Sequence, residues 1–239
     1  MLEREFDIQT QDGVMNTFIS HPDEEGPHPV ILFLMDAPGK REELHDMARR
    51  LGTAGYYVML PNLYYRRVRE FHIETSTREE MFTHMDSLTN AMVCEDIQAL
   101  LDTAATDKAA RGGNVGCVGY CMSGPFAFAA AAAFPDRIAA SASLHGVRLY
   151  TDKPDSPHLT AAKIKGEMYF GCAETDVYAP PEMVAALEHY LAGLDINARV
   201  EWYPGTEHGF VFPLRQGKYL KAAAERHWER LFALFRRNL

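Results

Sequence analysis

The chain has 239 residues, of which 47% are hydrophobic and 24% are charged, which is normal for a globular protein. Its formal net charge of −9 excludes broad binding to nucleic acid or to an anionic membrane, because both need a concentrated basic surface. The first residues lack the apolar core of a signal peptide, and no apolar run reaches the roughly 18 residues that span a bilayer. We therefore expect a cytoplasmic protein whose partner is a small molecule and not nucleic acid or a membrane.

The cysteines and histidines do not form the patterns of disulfide frameworks or metal sites. Cys94, Cys117, Cys121 and Cys172 include no CxxC pair, which favours a reducing compartment. None of the 10 histidines stands in an HExxH motif. The sequence therefore predicts neither a metal ion nor a cofactor.

The hydrophobic pattern changes once along the chain. Two alternating segments flank Asp12 and Gly13 and predict an antiparallel hairpin. From Val30 onward, apolar runs of strand length alternate with stretches of helix length, which is typical of a parallel sheet buried on both faces. The predicted strands are 3–9, 14–20, 30–35, 56–60, 114–119, 138–144, 167–171 and 198–203, and the predicted helices are 42–54, 86–104, 122–134, 181–193 and 217–237.

Repeated strand, helix, strand units predict a doubly wound α/β fold, with a mostly parallel central sheet, helices on both faces and an N-terminal antiparallel hairpin. We expect a single domain over residues 1–239. In such sheets the ligand site lies beyond the carboxyl ends of the strands. The segment 62–86 has weak periodicity. It is expected either to border the pocket as a partly ordered loop or to be a surface excursion.

The segment 116–124 runs from an apolar strand directly into an alanine-rich helix, which is the context of a nucleophile elbow. Small residues must flank the sharp turn, as Gly119, Ser123 and Gly124 do. The elbow residue is Cys121, where the positive end of the helix dipole favours a thiolate. An inert buried thiol is the alternative for Cys121. Ser123 is the rival nucleophile, but it lacks glycine at both two-residue offsets.

In elbow-containing folds an acid and then a histidine follow the nucleophile along the chain, each after a different strand. Asp176 follows one predicted strand and is the candidate acid, although it could instead cap the next helix. Glu174 is the competing acid. His208 follows the last predicted strand and is the candidate base, with His145 as the alternative.

These residues predict a set of chemical steps. His208 accepts the thiol proton, Asp176 fixes the tautomer of the ring, and Cys121 attacks a carbonyl carbon. The resulting thioester is hydrolysed by water. Backbone N–H groups of Met122 and Ala37 are expected to form the oxyanion hole.

With cysteine in the elbow, the assembled residues resemble the dienelactone hydrolase family of the α/β-hydrolase superfamily. Further matching segments are 55–58, 61–64, 171–180 and 208–210, the last of these before a long terminal helix. The resemblance covers nearly the whole chain. It implies an α/β-hydrolase fold and the hydrolysis of an ester or lactone.

The resemblance also implies roles for residues around the triad. Asp36 stands where the family has an acidic residue, usually glutamate, that interacts with the resting cysteine; a turn or cap residue is the alternative. Arg78 matches one of the arginines that hold the substrate carboxylate, whereas Arg215 is displaced from the position of the other. Tyr120 and Phe210 are further candidates for substrate binding or for support of the site.

The sequence thus predicts a monomeric or homodimeric hydrolase of small carboxylic esters or lactones. Two alternatives remain open at this point. The first is a hydrolase fold that serves as a ligand-binding or signalling module, because a fold does not dictate a function. The second is an acyltransferase or carbon–carbon hydrolase that uses the same acyl-enzyme.

Overall fold

A computed structural model describes all 239 residues, and its eight strands form one sheet in the order β1-β2-β4-β3-β5-β6-β7-β8. The pairs β1–β2 and β2–β4 are antiparallel, and all other neighbours are parallel. This arrangement confirms the predicted mostly parallel sheet with an N-terminal hairpin. The strands are β1 (Leu2–Thr10), β2 (Gly13–His21), β3 (His28–Leu34), β4 (Tyr57–Pro61), β5 (Ala110–Tyr120), β6 (Ile138–Leu144), β7 (Glu167–Thr175) and β8 (Ala198–Glu207).

Helices cover both faces of the sheet. A Cβ atom on Gly116 would meet Phe235 of the last helix, whereas one on Gly119 would meet Ala127 of the helix that follows β5. Because side chains an odd number of residues apart in a strand point to opposite faces, these two helices lie on opposite faces. The helices are α1 (Glu42–Thr53), α2 (Arg78–Asp86), α3 (Asn90–Thr106), α4 (Gly124–Ala133), α5 (Pro181–Ala192) and α6 (Lys221–Asn238), with 3₁₀ turns at Cys121–Ser123 and Pro157–Lys163.

The hydrophobic core forms a single cluster of 67 buried residues. The strands β3 and β4 contribute almost completely buried segments, as expected for strands that are covered on both faces. None of the helices has both the length and the apolar composition needed to cross a membrane.

The structure corrects the sequence-based interpretation of segment 62–86, which contains α2. Thr77 and Glu80 form a capping box at the start of this helix, a Thr-x-x-Glu pattern that is visible in the sequence. Hydrophobic periodicity did not reveal the helix because Met85 is its single buried residue. The structure also starts α3 at Asn90 rather than at 86, and α6 at Lys221 rather than at 217.

Candidate active site

Cys121 occupies a sharp turn between β5 and α4. Its φ angle is +54°, in the left-handed region that a residue with a side chain rarely adopts, and it is 8% exposed. A Cβ atom on Gly119 would lie 2.0 Å from the carbonyl oxygen of Ser123. One on Gly124 would lie 2.4 Å from the Cα of Gly146. Glycine at these two positions therefore allows α4 to lie close both to β5 and to the segment after β6, as the elbow requires.

The rival elbow nucleophile, Ser123, has its hydroxyl engaged elsewhere. This residue is fully buried, and its Oγ donates a hydrogen bond to the carbonyl oxygen of Met35, just beyond β3. Cys117 is also fully buried, inside β5, where burial raises the pKa of its thiol. Of these three residues, Cys121 alone has the left-handed backbone of the elbow.

His208 and Asp176 meet at the carboxyl end of the sheet, after β8 and β7. The Nδ1 atom of His208 lies 2.7 Å from Oδ2 of Asp176. The other carboxylate oxygen of Asp176 accepts hydrogen bonds from the backbone N–H groups of Tyr178 (2.9 Å) and Ala179 (3.0 Å). Asp176 is therefore both the partner of a histidine and the cap of the following turn, because each contact uses a different carboxylate oxygen.

The competing acid, Glu174, points away from the histidine. Its Oε2 accepts a hydrogen bond of 2.8 Å from the backbone N–H of Gly205. Glu174 is exposed and has no hydrogen bond to His208. Its role in the structure is to join the ends of β7 and β8.

The electrostatic surroundings of His208 favour a protonated ring. Burial lowers its pKa, but the contacts with Asp176 and Cys121, and the charges of both, outweigh burial and raise the pKa to about 9. His208 therefore carries a positive charge at neutral pH. An imidazolium next to a cysteine stabilises the thiolate form of the sulfur.

The alternative base, His145, lies in a different environment. It is 1% exposed, and neither ring nitrogen has a hydrogen-bond partner. Burial, together with the positive charges of His208 and Arg215, lowers the pKa of His145 well below its usual value. His145 therefore has no carboxylate partner that could orient its ring, as Asp176 does for His208.

The two candidate oxyanion donors lie on segments that Tyr64 connects. Ala37 is buried, and its N–H donates to no other group of the protein. Its carbonyl oxygen accepts a 2.8 Å hydrogen bond from the Tyr64 hydroxyl, which also lies 3.2 Å from Sδ of Met122. The sequence alone did not reveal this bridging contact of Tyr64, because Ala37 and Met122 are 27 and 58 positions away from it.

Asp36 pairs with arginines and has no hydrogen bond to Cys121. It is completely buried, and its carboxylate accepts hydrogen bonds from the guanidinium groups of Arg41 and Arg215. The Nη2 atom of Arg215 lies 3.0 Å from Oδ2 of Asp36. Arg41 also binds Glu43, and these acidic groups raise the pKa of Arg41. The contact with the resting cysteine that the resemblance implied is therefore replaced by a buried ion cluster. Sequence reasoning missed Arg41, since nothing local distinguishes it from a surface arginine.

Arg78 lies at the rim of the site, at the start of α2. Its guanidinium binds the hydroxyl of Tyr178 and lies over the ring of Phe82, with 5.3 Å between guanidinium carbon and ring centroid. None of the ion pairs in the structure includes Arg78. The ring of Tyr178 in turn stands edge-on to His208 at a centroid distance of 5.0 Å. Sequence reasoning missed Tyr178, although its position two residues after Asp176 is a signal that could have identified it.

Tyr120 and Phe210, two further candidates from the sequence, are core residues. Both have no exposed surface. The hydroxyl of Tyr120 lies 3.1 Å from Nε2 of His227 in α6, and Phe210 packs against Tyr203 and His145. Neither side chain reaches the surface in this structure, and a role of either residue in substrate binding or in support of the site stays a prediction.

The sheet order and the elbow after β5, followed by an acid after β7 and a histidine after β8, define a protein of the α/β-hydrolase class. The chain belongs to the dienelactone hydrolase family, because the model of that family matches residues 15–239. It is thus an enzyme of the hydrolase type, as the sequence predicted.

Individual relatives resemble the chain over most of its length. A protein of Synechocystis sp. with the name "Putative carboxymethylenebutenolidase" is 26% identical over 240 residues, which cover 97% of this chain and 95% of the relative. The carboxymethylenebutenolidase of Rhodococcus opacus is 26% identical over 223 residues, with 90% of this chain and 84% of the relative covered. The crystal structure of a "Putative Dienelactone Hydrolase" from Klebsiella pneumoniae has a TM-score of 0.87 at 22% identity and covers 98% of both chains.

Proposed function

We propose that the protein hydrolyses small carboxylic esters or lactones, with Cys121 as nucleophile, His208 as proton carrier and Asp176 as the group that orients His208. One observation carries this proposal. The His208 ring is bonded to Asp176 through Nδ1 and adjoins Cys121, which itself stands at a left-handed elbow. Fixed geometry of this kind among a nucleophile, a base and an orienting acid is what acyl transfer requires.

The proposed reaction proceeds in two stages. In the resting enzyme the thiol proton resides on His208, and the Cys121 thiolate attacks the carbonyl carbon of the substrate. The backbone N–H groups of Met122 and Ala37 stabilise the oxyanion. The carbon–oxygen bond of the ester breaks, and His208 gives its proton to the leaving oxygen. In the second stage neutral His208 removes a proton from water, and the resulting hydroxide cleaves the thioester. The products are a carboxylic acid and an alcohol, and the Cys121 thiolate and the His208 imidazolium are restored.

The charges at the rim support a substrate that carries a carboxylate. Arg78 has no acidic partner and is held near His208 by Tyr178, so its guanidinium is free to bind an anion in a bidentate manner. Arg215 serves less well, since Asp36 already neutralises it. The relatives named carboxymethylenebutenolidase support the same class of substrate, because that name denotes an enzyme for a lactone with a carboxyl-bearing substituent.

The nucleophile is tested by Cys121→Ala, with Cys94→Ala as the matched control. Both variants and the wild type are assayed on p-nitrophenyl acetate and on lactones with and without a carboxylate. We expect Cys121→Ala to lose at least about 1,000-fold in kcat. Cys94→Ala should behave as the wild type, since that thiol lies half-buried in α3, where burial raises its pKa to about 11. Full turnover by folded Cys121→Ala contradicts the proposal; stabilisation by a lactone without any turnover favours the ligand-binding alternative.

The substrate class is tested by Arg78→Gln. The proposal predicts a rise in KM of about 10-fold or more for a lactone with a carboxylate, because a charge-assisted pair is lost. For the same lactone as a methyl ester, KM should not change. An equal effect of the variant on both substrates would show that Arg78 does not bind the carboxylate.

A further inference from the structure

His145 has two polar atoms that the rest of the structure leaves unsatisfied. It directly follows β6, is 1% exposed, and has no hydrogen-bond partner at Nδ1 or Nε2. Buried polar side chains are nearly always hydrogen-bonded, and each exception costs stability. An apolar ring of the same size would avoid this cost, so packing alone does not account for a histidine here.

The backbone at this residue is also strained. The φ angle of His145 is +38°, which is uncommon for a residue other than glycine. A 2.7 Å hydrogen bond from its backbone N–H to the carbonyl oxygen of Gly171 in β7 holds the residue in this conformation. Strain of this kind persists where the surrounding structure enforces it, and it concentrates at functional sites.

The strained backbone directs the ring of His145 against His208. The two ring centroids are 4.7 Å apart at an interplanar angle of 69°, an edge-to-face contact. Phe212 (5.5 Å) and Phe210 (5.9 Å) pack edge-on against the His145 ring, and Tyr120 lies at 6.1 Å. The titratable and charged groups that face His145 from the packed elements are His208, Tyr120, Arg215 and His227. None of them is an acid, so the His145 ring remains neutral.

We propose that His145 is a positioning residue for His208, which fixes the rotation of the His208 ring and stabilises its charged form with a neutral, dipolar imidazole. The bond to Asp176 holds one ring atom of His208 but leaves rotation of the ring possible. Tyr178 contacts that ring from the exposed rim at 5.0 Å, and His145 contacts it from the buried side. The inference rests on the proposed function, in which His208 holds and transfers the proton.

The test is His145→Phe, which keeps an aromatic ring of similar size and removes both nitrogens. His158→Phe is the matched control, because His158 is equally a buried ring, 5% exposed and stacked on Tyr150, without contact to His208. The titration of His208 is followed by NMR on ¹⁵N-histidine-labelled resting protein, with His208→Gln to assign its signal. Turnover is measured in parallel.

We expect His145→Phe to lower the titration midpoint of His208 and to lower kcat about tenfold at an unchanged KM. His158→Phe should leave both unchanged. An unaltered His208 midpoint in His145→Phe, or an equal shift in His158→Phe, overturns the inference. Because the titration requires no turnover, this result is independent of whether the hydrolase proposal itself fails.

A measurement on the wild type covers the case in which His145→Phe does not fold. The inference predicts that His145 stays neutral throughout the pH range in which His208 titrates, while its resonances shift at the midpoint of His208. A midpoint of its own for His145 within that range, or no response to His208, overturns the inference.

Discussion

At the scale of single residues, the site depends on side chains that serve two purposes at once. Asp176 binds His208 with one oxygen and the turn after β7 with the other. Tyr178 donates a backbone N–H to that carboxylate and contacts His208 with its ring. The segment that orients the histidine is therefore itself ordered by the same acid, which leaves little freedom in the position of the His208 ring.

Replacing Asp176 with asparagine should separate these two purposes. The amide oxygen can still accept from the turn, so the fold should be retained. The amide nitrogen would face Nδ1 of His208 and favour the wrong tautomer, and kcat should fall by roughly 10⁴-fold. The control is Glu174→Gln, which should keep wild-type turnover because Glu174 has no contact with His208. Steady-state kinetics with circular dichroism checks both, and an active Asp176→Asn variant would remove Asp176 from the proposed triad.

The raised pKa of His208 has a consequence for stability. Folding raises this pKa from 6.5 to about 9, so the folded state binds the proton more tightly than the unfolded state does. The resulting stabilisation is complete below about pH 6.5 and is lost as the pH rises through about 9. Urea unfolding of wild type and His208→Gln from about pH 6 to pH 10 should show a difference in unfolding free energy that shrinks with increasing pH. A difference that is constant or grows over this range contradicts the assigned pKa.

At the scale of elements, the elbow is a property of the junction between β5 and α4. The short 3₁₀ turn at Cys121–Ser123 joins them, and Val147, after β6, donates a 3.1 Å hydrogen bond to the Cys121 carbonyl oxygen. The close approach of strand and helix leaves no room for a side chain at Gly119. The local spacing of small residues is thus a requirement of the geometry at the nucleophile.

Gly119→Ala should therefore destabilise the protein strongly. Its Cβ would overlap the carbonyl oxygen of Ser123, a backbone atom that cannot move without displacing α4, and the expected loss is about 3 kcal/mol. Gly112→Ala, in the same strand, is the matched control, because nothing lies within 4 Å of that Cβ position. Thermal and chemical unfolding should show a lower midpoint for the first variant alone. Equal stability of the two variants would mean that the elbow is more relaxed than the structure shows.

At the scale of the whole molecule, Asp36 joins three parts of the chain. It follows β3, Arg41 immediately precedes α1, and Arg215 belongs to the segment between β8 and α6. The segment that contains Arg215 also contains His208, and the Arg215 side chain packs over Gly209. This buried ion cluster therefore fixes the histidine-bearing segment to the centre of the sheet.

Asp36→Asn should lower the unfolding free energy by about 2 kcal/mol, because a neutral amide cannot pair with two arginines. Asp136→Asn is the comparison, since the Asp136–Lys165 pair is 79% and 67% exposed and should contribute nothing measurable. Urea unfolding of both variants distinguishes the two cases. Equal effects would show that the Asp36 cluster adds no stability.

The prediction of a single domain also belongs to the scale of the whole molecule. A single cooperative unfolding transition of the wild type would support it. The single domain stays a prediction, as do the cytoplasmic location and the monomeric or homodimeric state.

The sequence by itself determined the features that depend on local order along the chain. Apolar runs that alternate with helix-length stretches predicted the mostly parallel sheet, and the spacing of Gly119, Cys121 and Gly124 predicted the elbow. The order of Cys121, Asp176 and His208 predicted that these residues meet, because the carboxyl ends of parallel strands lie at one edge of the sheet. The helix α2 was missed because it buries too little apolar surface to produce a periodic signal.

Only the tertiary structure decided which distant side chains meet around the triad. Arg215 is 179 positions from Asp36, and Arg78 is 100 positions from Tyr178. Contacts at such separations depend on the strand order and on the path of the loops, and hydrophobic periodicity carries no information on either. The same holds for His145, whose left-handed backbone and unpaired ring become visible only when β6 is set beside β5 and β7 in the sheet.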